Sequence, residues 1–100
     1  MPFAAHTPPA PLGERATFLA MLKEADGTAC PGVTVHVVLE GPGWLLPGSG
    51  YTGGHRFIFA RTDDSGGLRF QWVDDPTHTS EGISLRASST AGQTLTIRQI

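Results

Sequence analysis

The chain contains no asparagine, one lysine (Lys23) and one cysteine (Cys30) among its 100 residues. Charged residues make up only 16%, against roughly a quarter in an average soluble domain. A single cysteine cannot form an internal disulfide, which excludes a small secreted domain stapled by such bridges. Six arginines and one lysine spread along the chain, with a net charge of −2, offer no basic face, so phosphate neutralisation and hence nucleic-acid binding are not expected. The longest apolar stretch, Ala16 to Leu22 with Thr17 inside it, is far too short for a bilayer-spanning helix, and no membrane insertion is expected. Met1–His6 carries neither a basic n-region nor a signal-length apolar run. The expectation is a product that folds where it is made, in the cytoplasm.

What is abundant is turn chemistry, with 13 glycines and 8 prolines. A turn-rich, charge-poor chain bearing threonine and valine reads as all-β, and 100 residues suffice for a single domain with one modest core. Residues 1–14 hold Pro2, Pro8, Pro9 and Pro11 and no periodicity, and are expected as an extended arm before a domain at 15–100. Arg15–Lys23 is compatible with a helix by composition, but Thr17, Phe18 and the turn that follows favour a strand. Asp26-Gly27 and Pro31-Gly32 punctuate the chain as tight turns. Val33–Glu40 alternates, with Val33, Val35, Val37 and Leu39 on one face. Further strands are expected at Phe57–Thr62, Leu68–Val73, Ile83–Ala87 and Thr94–Ile100. Leu68, Phe70, Trp72, Leu95 and Ile97 are expected inward. Six strands, or seven, at such spacings imply an antiparallel two-sheet β-sandwich.

The order of these signals is similar to that of a bacterial immunoglobulin-like domain of group 1, the type known from invasin-like adhesins. The resemblance runs over about residues 16–97. It rests on Leu22-Lys23-Glu24-Ala25-Asp26-Gly27, Cys30-Pro31-Gly32-Val33-Thr34-Val35, Thr62-Asp63-Asp64-Ser65-Gly66-Gly67-Leu68 and Leu85-Arg86-Ala87. It implies an immunoglobulin-like sandwich. Carboxypeptidase regulatory-like and transthyretin-like modules share the same framework. Cys30 stands where the family usually has valine, and the 41–56 segment is longer and more apolar than the family pattern. Without asparagine the Lys–Asn isopeptide crosslink of a related class cannot form. The chain ends Thr96-Ile97-Arg98-Gln99-Ile100, not in the Tyr-Arg-Gly-Ser signature of hydroxyisourate hydrolases.

Chemistry is sparse. His6, His36, His55 and His78 lack the mutual spacing that zinc favours, and Asp63-Asp64-Ser65-Gly66-Gly67 is not a calcium loop of the D-x-D-x-D-G kind. Asp63 is better explained by a side chain that bonds its own turn. There is no G-x-S-x-G elbow and no phosphate cradle. No catalytic residue, metal or cofactor is therefore expected. Gly41–Arg56 stands out, because Trp44, Leu45, Leu46 and Tyr51 sit there among six glycines and two prolines. Large apolar side chains on a connection either fold back as a lid or stand out as an anchor for a partner. These four are the candidate partner-binding residues.

The expected function is a non-enzymatic structural module, an immunoglobulin-like accessory component of a phage or similar particle such as a capsid decoration or tail protein. It would dock on a particle shell or neighbouring subunit through its N-terminal arm and the 41–56 loop, with a homo-oligomer as one form of that docking. Its place would be the virion, or the cytoplasm before assembly. One alternative is an excised repeat of a bacterial surface adhesin, found at the cell surface. Another is a transthyretin-like accessory or enzyme domain.

Overall fold

The computed structural model describes residues 2–8, 13–47, 55–75 and 82–100. Eight strands follow one another as β1 (Phe3–His6), β2 (Arg15–Lys23), β3 (Thr34–Glu40), β4 (Trp44–Leu46), β5 (Phe57–Arg61), β6 (Gly67–Val73), β7 (Ser84–Ser89) and β8 (Thr94–Gln99). They form two four-stranded sheets, ordered β1-β7-β3-β5 and β4-β6-β2-β8, and every paired neighbour is antiparallel. No helix occurs among the described residues. The chain is thus an all-β, two-sheet sandwich.

The count of six or seven strands is corrected to eight among the described residues. The two additions are β1, inside the segment expected as an arm, and β4, inside the 41–56 segment expected as a loop. The helical alternative for Arg15–Lys23 is settled by pairing. β2 runs in register with β6 from Arg15↔Val73 to Met21↔Gly67 and with β8 from Phe18↔Gln99 to Lys23↔Thr94. A period of two places Ala16, Phe18, Ala20 and Leu22 inward, all buried.

The core between the sheets is built by that alternation. Val35, Val37 and Leu39 of β3 face Leu68, Phe70 and Trp72 of β6, with Leu85 and Ala87 of β7 and Leu95 of β8 completing it. Phe18 and Phe70, opposite one another in the ladder, stack at 5.6 Å between ring centroids. Fully burying side chains of this size contributes about 1.5–3 kcal/mol each.

At the upper end, where β2 crosses to β3 in the other sheet, Thr62 is a buried polar residue, only 5% exposed. Its hydroxyl donates to the Cys30 carbonyl at 2.5 Å and accepts the Val33 N–H at 3.0 Å. One side chain thus ties the β2–β3 connection to the end of β5. Thr62→Val keeps the shape but orphans a buried donor and acceptor, and should cost about 1–3 kcal/mol. Chemical denaturation would show this as a lower midpoint at unchanged slope, and an unchanged midpoint would mean that Thr62 is no clasp.

The next turn is held by Asp63. Its Oδ1 accepts the Ser65 hydroxyl at 2.6 Å, the Ser65 N–H at 2.9 Å and the Gly67 N–H at 3.0 Å. The bond from the Ser65 hydroxyl, then the two backbone donors, lowers its pKa below the ordinary 3.8. Asp26 is lowered in the same way by its bonds to Thr28. Both groups have depressed folded values, so their stabilisation is complete above the unfolded value and is lost as pH falls through the folded one. The expected result is a Tm that falls below about pH 4, and falls less steeply in Asp63→Asn, measured by thermal melts across that range.

Candidate interaction surface

At the lower end the chain leaves β3, passes Gly41-Pro42-Gly43 and enters β4 on the opposite sheet. Trp72 fixes this corner. It is 1% exposed, and its indole N–H donates to the Pro42 carbonyl at 2.9 Å. Arg56 donates to the Gly43 carbonyl at 2.9 Å, and Leu45 exchanges backbone hydrogen bonds with His55 at 2.7 and 3.1 Å. The corner therefore closes onto the start of β5.

This geometry separates the four candidates from the 41–56 segment. Leu45 is fully buried, so its side chain is part of the core. Trp44 remains 36% exposed on the outer face of the second sheet, and Leu46 beside it is half-buried. Tyr51 lies outside the described residues. Leu45→Ala should cost about 2–5 kcal/mol, whereas Trp44→Ser should cost only about 1 kcal/mol. Equal falls in Tm for the two variants would make Trp44 a lid.

The larger exposed apolar feature lies on the other sheet. Successive strands place Phe3, Ser88, His36 and Phe59 in one row across its outer face, and Ala5, Arg86, Val38 and Phe57 in the next. Phe3 is 56%, Phe57 52% and Phe59 62% exposed. Isolated exposed apolar residues are ordinary, whereas several on one face make it a candidate interaction surface. In this band Phe57 and Phe59 lie together on one edge strand, and Phe3 lies on the other edge strand, beyond Ser88 and Arg86. The rings are ordered among themselves. His36 stacks on Phe59 with centroids 4.2 Å apart and planes 7° from parallel. Phe57 meets both edge-on, at 5.8 Å from His36 and 5.9 Å from Phe59. His36 is thus one plate of an aromatic cluster on the outer face. At the far side Arg86 lies 5.4 Å above the Phe3 ring and pairs with Glu40 at 3.0 Å. Two shallow clefts run along this face, one between Phe3, Val38 and Arg86, the other between Thr34, His36 and Phe59.

The outer face of the second sheet differs in charge. Arg15 and Lys23 of β2, Arg69 of β6 and Arg98 of β8 all occupy its outward positions, with Arg69 and Arg98 flanking Leu19 in one row. No outward position of its strands carries a carboxylate. Four of the seven basic residues thus share a face that the linear sequence does not reveal. The acids gather elsewhere, with Glu24, Asp26, Asp63 and Asp64 in the upper turns.

No group of three or more His, Cys, Asp or Glu side chains among the described residues is placed to hold a metal ion. Cys30 is buried, 5% exposed. Burial raises its thiol pKa, and Glu24, to which Sγ donates at 3.2 Å, raises it further. A thiol held protonated is a poor nucleophile. Compared with known protein families, characterised proteins and solved structures, the chain matches none.

Proposed function

We propose that this chain is a non-catalytic interaction module of immunoglobulin-like type, an accessory component of a phage or similar particle such as a capsid decoration or tail protein. One observation carries the reading. Large apolar side chains stand outside on both faces of the sandwich, Phe3, Phe57 and Phe59 on one and Trp44 on the other. Aromatic side chains bury large areas at low entropic cost, which suits them to anchor a protein partner. A part covered from two sides, by a shell and by a neighbouring subunit, makes use of both faces. An inert repeat of a surface adhesin has no evident need for either.

The immunoglobulin-like assignment is supported by the two central pairs, β2 with β6 and β3 with β7. These correspond to the B–E and C–F pairs of that fold. The last strand lies beside β2, where the constant-type order has it beside the strand before it. The N-terminal strand contributes Phe3 to the band, so docking uses the arm as well as the Trp44 corner. Such a product belongs in the virion, or in the cytoplasm before assembly.

The test is sedimentation of the native source, with the chain tracked by mass spectrometry. The proposal requires recovery in particle-sized material at a defined stoichiometry. Recovery as part of a longer envelope protein would favour the adhesin reading instead, and a small soluble species would overturn both.

A further inference from the structure

We infer that β5 is a self-complementary edge through which two copies of this chain pair antiparallel, joining their first sheets into one eight-stranded sheet with a continuous aromatic face. β5 ends its sheet. Among the described residues its outer side is met just before Phe57, where His55 bridges Leu45 of β4, and along Phe57–Arg61 no described strand pairs with it. Its inner side is set by the bonds from the Leu39 N–H to the Arg56 carbonyl and from the Thr62 N–H to the Val33 carbonyl, both 2.9 Å. In an antiparallel ladder the hydrogen-bonding direction alternates along the strand. The even-numbered residues therefore bond β3, and the backbone groups of Phe57, Phe59 and Arg61 point outward. Edges of this kind are usually blunted by lysine, proline or a bulge. Phe57–Arg61 has neither of those residues and pairs in unbroken register with β3.

The same three residues carry the outward side chains, and they match a second copy. In an antiparallel pairing with its two-fold axis at Phe59, Phe59 lies opposite the partner's Phe59 and Phe57 lies opposite the partner's Arg61. Each Phe57 thus gains a guanidinium neighbour and the two Phe59 rings meet. Both are favourable cross-strand pairs. Arg61 is already anchored at the strand end by its Nε–H bond to the Gly32 carbonyl at 3.1 Å. About six backbone hydrogen bonds form without overhang. The row Phe3, Ser88, His36, Phe59 continues through the axis into its own mirror order. A generic strand would satisfy the backbone, but a second β5 also supplies the aromatic at the centre and the cation at the end. The contact is isologous and closes at two copies.

This inference rests on the docking reading only in treating the exposed rings as an interface. It is tested on the full chain by sedimentation equilibrium over a wide concentration range. The wild type should pass from monomer to dimer. Phe59→Arg sets like charges together at the axis, and should weaken the dimer at least about tenfold with Tm within about 4 °C of wild type. A covalent trap checks the register. Opposed Cα atoms of a hydrogen-bonded pair lie about 5.5 Å apart, within disulfide reach. Phe59→Cys should therefore crosslink under mild oxidation. Phe57→Cys should not, because the two copies of that position lie about 13 Å apart along the strand. A wild type that stays monomeric, a dimer untouched by Phe59→Arg, or crosslinking that favours Phe57→Cys would each overturn the pairing. A monomer recovered at fixed stoichiometry in particles would end this proposal and leave the docking role standing. A dimer absent from particles would do the reverse.

Discussion

Trp72→Ala should lower stability by about 3–5 kcal/mol, the largest loss expected from any single truncation in this chain. A domain of this size has about 5–15 kcal/mol in total, so the variant should be partly unfolded at ordinary temperature. Its Tm should fall by about 12–40 °C. The physical reason is double. Trp72 is the largest of the fully buried side chains, and its indole N–H is the partner of the Pro42 carbonyl at 2.9 Å. Trp72→Phe keeps most of the apolar volume and loses the hydrogen bond, and should cost about 1–3 kcal/mol. Denaturant titration of both variants checks this. Equal losses in the two would mean that the volume hardly matters and the bond dominates.

Gly43→Ala should cost about 2–4 kcal/mol, from strain and overpacking together. Gly43 has φ of +100°, a conformation that side-chain-bearing residues rarely adopt. A Cβ there would press on Trp72 Nε1 and would stand 2.5 Å from the Val73 carbonyl oxygen. Backbone on one side and a locked indole on the other leave it no room. The expected signature is a fall in Tm together with weaker protection of the Leu45–His55 backbone pair in hydrogen exchange, because the corner that aims β4 would open. A wild-type Tm in Gly43→Ala would show that the corner repacks freely, and would detach Trp44's exposure from this turn.

These two residues also show where the sequence was legible. β3, β6, β7 and β8 announced themselves through apolar residues at every second position. β2, apolar from Phe18 to Leu22, was instead read as a strand from Thr17, Phe18 and the turn after it, and only its pairing with β6 and β8 fixed the inward face. The buried set Val35, Val37, Leu39, Leu68, Phe70, Trp72 and Leu85 needed no further signal. Asp63 behaved as its turn chemistry suggested. β4 was hidden because three residues between two prolines are too few for a period, and what makes them a strand is Trp72, distant in sequence. β1 was masked by the prolines around it and exists because β7 offers an edge to Phe3–His6.

The surface was harder to read than the core. Phe57-Ile58-Phe59 is apolar at every position, so alternation could not say which side lay inward. Only pairing with β3 shows that Ile58 is inside and both rings are outside. The expectation of no basic face came from the spread of the cations in sequence. Arg15, Lys23, Arg69 and Arg98 come from three strands, and the ladder brings them together on one side. Within the 41–56 segment, strand parity splits Leu45 from Trp44, a distinction that apolar character alone cannot make.

If the exposed aromatics serve something outside the molecule and not its own fold, they can be removed without unfolding it. The decisive variant replaces Phe3, Phe57 and Phe59 together with serine, and both its stability and its retention in the large assemblies of the native source are measured. The expected result is cooperative unfolding within about 2 kcal/mol of wild type, with the chain lost from particle-sized fractions. Full retention, or a collapse of stability with retention of whatever still folds, would contradict it.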